Sequence, residues 1–155
     1  MTNPDAVQIS IAAEDQNEAL EELLWEVLWQ PLGFDRDVQD EFKLDSEEMR
    51  LVAIVNDQLV GALVVNTIEE NEYEIRHIAV KEQFQRMGIG KALVQDLINN
   101  IATEESIKIQ TIARNTSQPF FKPLGFRTIQ DYPNHPKFIQ HGITFCLMEK
   151  SIAGA

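Results

Sequence analysis

Three strand-like segments, joined by turns too short for anything but reversal, constrain this chain most. Residues 50–55 (RLVAIV), 59–67 (LVGALVVNT) and Glu72–Val80 (EYEIRHIAV) are rich in β-branched residues, with Asn56-Asp57-Gln58 and the charged stretch 68–71 between them. Parallel neighbours need a crossover of a dozen residues or more, so these three strands are expected to form an antiparallel meander. Ile89, Leu93, Val94, Leu97, Ile98 and Ile101 then recur at helical spacing. A helix over residues 88–102 has to carry the chain to another strand, residues 107–112. The strands on either side of it are therefore expected to be parallel neighbours.

Upstream, residues 7–12 (VQISIA) alternate as a strand does, with Val7, Ile9 and Ile11 on one face. Asp15 is expected to cap the next helix, with Glu18 completing a capping box. Leu20, Leu23, Leu24, Val27 and Leu28 form its core stripe, and Trp25 and Trp29 read as packing on a neighbouring face. Pro31 and Gly33 end it, and the polar residues 35–48 read as a second helix or an ordered loop. Downstream, residues 117–124 predict a short helix. Gly125 and Phe126 open a strand, residues 131–141 form a loop holding Pro133 and Pro136, and residues 143–149 form the last strand. The expected fold is a single α/β domain over residues 1–155, with helices flanking a mixed, mostly antiparallel sheet.

Charge narrows the partners. Lys and Arg total 13 against 25 Asp and Glu, a net charge of -12. That sign argues against nucleic acid or an anionic membrane as the main partner, since both need a basic face. Apolar runs such as residues 59–65 are far shorter than the roughly 20 residues that span a bilayer, and no signal peptide is expected at the start. The single cysteine, Cys146, fits a reducing compartment, so a cytoplasmic setting is expected. The charge is also uneven: residues 1–50 hold 14 acids and 3 bases, residues 51–155 hold 11 and 10. This acidic first third is either a solvated helix face or the border of a site for something cationic.

Between the third strand and the long helix lies Gln85-Arg86-Met87-Gly88-Ile89-Gly90-Lys91. Two glycines there allow a tight turn and close approach of a ligand, while the first N–H groups of the helix point outward. Such a terminus suits an anion. A dinucleotide fingerprint would need glycine where Leu93 stands. A Walker loop would need Ser or Thr where Ala92 stands, and glycine where Gln85 stands.

The segment Ile78-Ala79-Val80 followed by Gln85-Arg86-Met87-Gly88-Ile89-Gly90 resembles the acyl-coenzyme-A signature of the GNAT superfamily of N-acyltransferases. Asn115, followed by Pro119-Phe120-Phe121-Lys122-Pro123-Leu124-Gly125-Phe126, is similar to that family's second motif. The resemblance implies a GNAT-like fold with a V-shaped splay at the Glu72–Val80 strand. It implies backbone binding of the coenzyme A pyrophosphate by Arg86 through Lys91, and main-chain contacts from Ile78 and Val80 to the pantetheine arm. Asn115 would contact the same arm, with helix capping as its alternative role.

What the resemblance implies chemically is transfer of an acetyl group from acetyl-coenzyme A to a primary amine of a small molecule or peptide. The acceptor is expected to be cationic, no metal is needed, and a second copy of the chain is a candidate partner. Glu74 is the expected base, acting directly or through water, and His77 is the alternative. Unbroken alternation would put the two on opposite faces. Phe121 stands where many relatives have a proton-donating tyrosine. A thiol of pKa about 8.5 leaves tolerably without that help, although a general acid is worth ~10²–10⁴-fold. Tyr132 or a water could substitute. The loss of the tyrosine also keeps a non-catalytic acyl-coenzyme-A sensor in contention. Cys146 sits in an apolar strand and reads as core.

Overall fold

The computed structural model describes residues 6–41 and 48–154. Seven strands form the sheet: β1 (Gln8–Ile11), β2 (Glu48–Val55), β3 (Gln58–Glu69), β4 (Glu72–Val80), β5 (Ile107–Arg114), β6 (Arg127–Tyr132) and β7 (Phe145–Ile152). They hydrogen-bond in the order β1-β2-β3-β4-β5-β7-β6. β4 and β5 are parallel, as the crossover helix α3 (Ile89–Ile101) requires, and β1–β2, β5–β7 and β6–β7 are antiparallel. The mixed α/β fold expected from sequence is the one observed. The backbone packs as two compact units, Met1–Val65 with His77–Ile101 and Asn66–Arg76 with Ala102–Ala155.

In the first unit, Asn56 and Asp57 both take positive φ (49° and 63°) in the two-residue turn between β2 and β3. This is the left-handed pair that a tight hairpin needs, and Asn and Asp tolerate it. α3 buries Ile89, Leu93, Val94, Leu97 and Ile101. Gly61 sets how close it lies, because a Cβ there would stand 3.2 Å from Ala53 Cβ and from Ile89 Cγ2.

The first helix departs from its sequence reading in two ways. It does not begin on an Asp15–Glu18 box: Ala13 caps a 3-10 turn over Glu14–Gln16, its N–H donating to the Gln16 side chain at 2.8 Å, and α1 (Asn17–Leu24) starts directly after it. Its phase also changes, because Trp25–Trp29 is a π-helical turn. A wider turn rotates later residues relative to a 3.6-residue stripe. Leu20, Leu23 and Leu24 are buried as expected, but Trp29 (3% exposed) takes the inward place expected of Leu28. Gly33 ends the segment at φ 81°. Of residues 35–48, Val38–Glu41 form the short helix α2, and residues 42–47 lie outside the described residues. β1 is an edge strand, so Ile11 is 60% exposed rather than part of a buried face.

In the second unit, β5 alternates buried and half-buried residues along its length and pairs with β7 from Ile107↔Ile152 to Arg114↔Phe145. Phe121, Phe126, Phe138, Ile143, Cys146 and Met148 complete its core. The stretch read as a loop around Pro133 and Pro136 holds the end of β6 and a helical turn, α5 (Pro136–Ile139), with Pro136 in the first turn. His135 caps that turn by accepting from Lys137 N–H at 3.1 Å.

Candidate active site

The glycine turn lies wholly in the first unit. Arg86 and Gly88 take φ of 69° and 79°. A left-handed conformation is costly for a long side chain and nearly free for glycine. The first bond of α3 runs from Ala92 N–H to Gly88 O (3.0 Å), so the N–H groups of Ile89, Gly90 and Lys91 precede the helical ladder. Arg86, Met87 and Gly88 are exposed, and no described atom lies within 4 Å of where a Gly88 Cβ would stand. Open donors at the positive end of a helix fit a diphosphate. The Gln85 side chain braces the turn from behind, donating from Nε2 to Val80 O at 3.0 Å.

Beside this turn is a cavity of about 430 Å³, bordered by Glu26, Gln30, Lys81, Glu82 and Gln85 among others. Glu26 lies on the π-helical turn.

β4 changes phase along its length. Asn71 O accepts from Lys108 N–H of β5 (2.9 Å), so the trans N–H of Glu72 points the other way, toward β3. Lys81 N–H also points toward β3, donating to Val60 O at 2.8 Å. Residues nine apart in an unbroken strand would face opposite neighbours, so an irregularity of the β-bulge kind lies between them. Val80, next to Lys81, therefore directs its N–H away from β3. The β4–β5 ladder covers Glu72↔Lys108 to Ile75↔Thr111 and stops there, while β4 runs on to Val80 and β5 to Arg114.

Glu74 lies just inside the end of that ladder. It is 8% exposed, and both carboxylate oxygens are engaged: Arg76 Nη1 lies 3.3 Å from Oε2 and Gln110 Nε2 3.4 Å from Oε1. Gln110 stands opposite Glu74 in the parallel register. Arg76, two residues along, shares its face. Neither partner was singled out from sequence. The i, i+2 spacing could have shown Arg76, but Gln110 depends on a register set by the crossover. His77 sits in the first unit, its ring edge-on to Trp29 at 5.2 Å. The structure thus gives Glu74 and His77 different partners.

The second motif lies in the second unit. Asn115 is not a helix cap. Its Nδ2 donates to Gly142 O (3.2 Å) and its Oδ1 accepts from Thr144 N–H (3.2 Å), stapling the start of β7 to the end of β5. Phe121 is 2% exposed, with its ring edge against Phe120 and Phe126 at 5.0 and 5.2 Å. Arg114 is half-buried with its guanidinium over the Phe138 ring, and burial pulls its pKa below the usual arginine value. Tyr132 is 43% exposed at the end of β6, and Cys146 is buried.

Comparison with known proteins identifies the family and the fold. Residues 14–152 match the family model described as an acetyltransferase (GNAT) domain. Among solved structures, a Bacillus subtilis acetyltransferase in complex with coenzyme A is 26% identical at a TM-score of 0.69, over 95% of this chain and 99% of that one. An aminoglycoside 6'-N-acetyltransferase complexed with coenzyme A aligns at a TM-score of 0.74 with 16% identity, over 96% and 98%. An Elizabethkingia anophelis GNAT family acetyltransferase with acetyl-coenzyme A bound aligns at 0.68 with 22% identity, over 94% and 98%.

Proposed function

The chain belongs to the GNAT acetyltransferase family, and from that premise we propose that it moves an acetyl group from acetyl-coenzyme A directly onto a primary amine. The observation that carries this reading is the Gln85–Lys91 turn, whose left-handed Arg86 and Gly88 lead into the open N–H groups of α3. Those donors suit the pyrophosphate, and Arg86 and Lys91 add charge at the rim. The end of β4, with Ile78, Ala79 and Val80 beyond the register with β5, suits the pantetheine arm, as the relatives with coenzyme A support. In this reading a main-chain N–H there stabilises the oxyanion of the tetrahedral intermediate.

In the reaction the amine nitrogen attacks the thioester carbon, the new N–C bond forms and the C–S bond breaks. The amine loses a proton, and the thiolate gains one. Glu74 is the proposed acceptor of the amine proton, through a water because both oxygens are already engaged; His77 is the alternative. Phe121 cannot return a proton to sulfur, so solvent does.

The amine is protonated and cationic in water. Glu26, from the acidic first third, and Glu82 border the cavity beside the turn and favour its approach there. A cytoplasmic setting suits the lone buried cysteine, and no helix among the described residues is long and apolar enough to cross a membrane.

The test is release of free thiol from acetyl-coenzyme A across polyamines, amino acids, aminoglycosides and peptides. Release above the hydrolysis blank with at least one class is expected, and none with any class would overturn transfer. Phe121 in the core and the fully engaged Glu74 favour a second reading, a non-catalytic acyl-coenzyme-A sensor. Calorimetry showing tight coenzyme binding without turnover would select it.

A further inference from the structure

β6 closes one end of the sheet, and no described strand lies on its far side. All six of its residues, Arg127–Tyr132, are exposed, with Ile129 at 44% and Tyr132 at 43%. The opposite edge, β1, is only four residues long. An edge with exposed apolar residues is a ready template for another chain unless something covers it. Among the described residues, the side chains of Arg127, Asp131 and Tyr132 make no hydrogen bond, ion pair or ring contact.

One hydrogen bond fixes which way the backbone groups of β6 point. Asn115 N–H donates to Thr144 O (2.9 Å), one step beyond the pair Arg114↔Phe145 in the β5–β7 register. Even-numbered residues of β7 therefore turn their backbone groups to β5, and odd-numbered ones turn them to β6. Arg127, Gln130 and Tyr132, opposite Glu149, Leu147 and Phe145, bond inward to β7. Thr128 and Asp131, opposite Met148 and Cys146, turn theirs outward. The bulge at Ile129 thus sets these two outward residues three apart instead of two.

We propose that β6 is the interface of a homodimer, pairing antiparallel with β6 of a second copy. A regular strand offers its outward groups at every second residue and does not match a spacing of three. A second β6 carries the same bulge and does. About a two-fold axis between Ile129 and Gln130, Thr128 exchanges both main-chain bonds with the partner's Asp131, and Asp131 with the partner's Thr128. The side chains agree with this register. Thr128 brings a hydroxyl to the carboxylate of the partner's Asp131, and Arg127 brings a guanidinium to the ring of the partner's Tyr132. The same patch serves on both copies, so the assembly closes at two.

Sedimentation velocity on the full chain tests this. One strand edge is a small interface, so a dissociation constant of order 1–100 μM is expected, with the mass of two chains dominant at ~1 mM. Thr128→Pro removes an outward N–H that the β7 ladder does not use, and should weaken association at least ~10-fold. Thr128→Ala keeps that N–H and should stay within about threefold of the intact chain. Hydrogen exchange needs no variant to fold: the amides of Thr128 and Asp131 should be protected at ~1 mM and exchange freely at ~0.1 μM, following the same equilibrium. A chain that stays monomeric at ~1 mM overturns the inference. So does a dimer that Thr128→Pro forms as tightly as the intact chain, or one whose two amides exchange alike at both concentrations.

Discussion

The glycine turn and the Glu74 cluster are built on opposite principles. The turn offers backbone N–H groups at the start of α3, and its side chains mostly point to solvent. The cluster offers three side chains, nearly enclosed and already bonded to one another. A backbone site depends on conformation, which glycine permits and most substitutions disturb. A side-chain site depends on atoms, and one isosteric change removes its chemistry without moving the chain. The two regions should therefore respond in different measurements.

The largest expected effect belongs to the cluster. Glu74→Gln keeps the shape and removes the negative charge, so kcat should fall by ~10²–10⁴-fold, the usual worth of a positioned base. Coenzyme affinity should stay within about twofold in calorimetry, because the change is isosteric and lies outside the turn. A kcat that barely moves would shift the proton-accepting role to His77 or to water.

Next comes the turn. Gly88→Val places a β-branched residue at φ 79°, where strain of order 1–3 kcal/mol is usual. That corresponds to coenzyme binding weakened by roughly 5- to 150-fold. Unchanged affinity would mean that the phosphate site lies elsewhere on the chain.

The same contrast explains what could be read in advance. The β2–β3 hairpin, the crossover and the turn depend on neighbouring residues, and Asn56-Asp57 and Gly88 announce their own conformations. Three other features were hidden because they depend on distant or subtle choices. The π-helical turn at Trp25–Trp29 puts Trp29 where a 3.6-residue stripe expects Leu28. The last strand inserts between β5 and β6, a pairing that no local pattern specifies. Gln110 reaches Glu74 only through the parallel register. α5 did carry a usable signal, since a proline opens its first turn and the preceding His135 caps it.

Asn115 sharpens the comparison from a third side, because it belongs to the coenzyme motif yet its amide is used within the protein. Asn115→Ala removes the bonds to Gly142 O and Thr144 N–H. At about 0.5–1.5 kcal/mol each in exposed surroundings, thermal unfolding should show a loss of ~1–3 kcal/mol. If the staple is its whole role, coenzyme affinity will hold. A parallel fall in affinity would show that the arm also contacts this residue.

The smallest effect expected is that of the acidic helix face. Among the described residues Glu22 and Glu26 make no ion pair, and Glu21 lies 3.6 Å from Arg50. Exposed charges more than about 8–10 Å from a ligand are largely screened at physiological salt, so they act on approach rather than on the bound state. Replacing Glu21, Glu22 and Glu26 by Gln should raise KM a few-fold at low salt and leave kcat alone, and the difference should vanish at high ionic strength. A net-neutral zwitterion feels this field less than a polyamine does. The salt dependence is therefore expected to be steepest for acceptors with extra positive charge and nearly flat for neutral amino acids. A steep dependence for neutral amino acids would mean that the acidic face touches the bound acceptor.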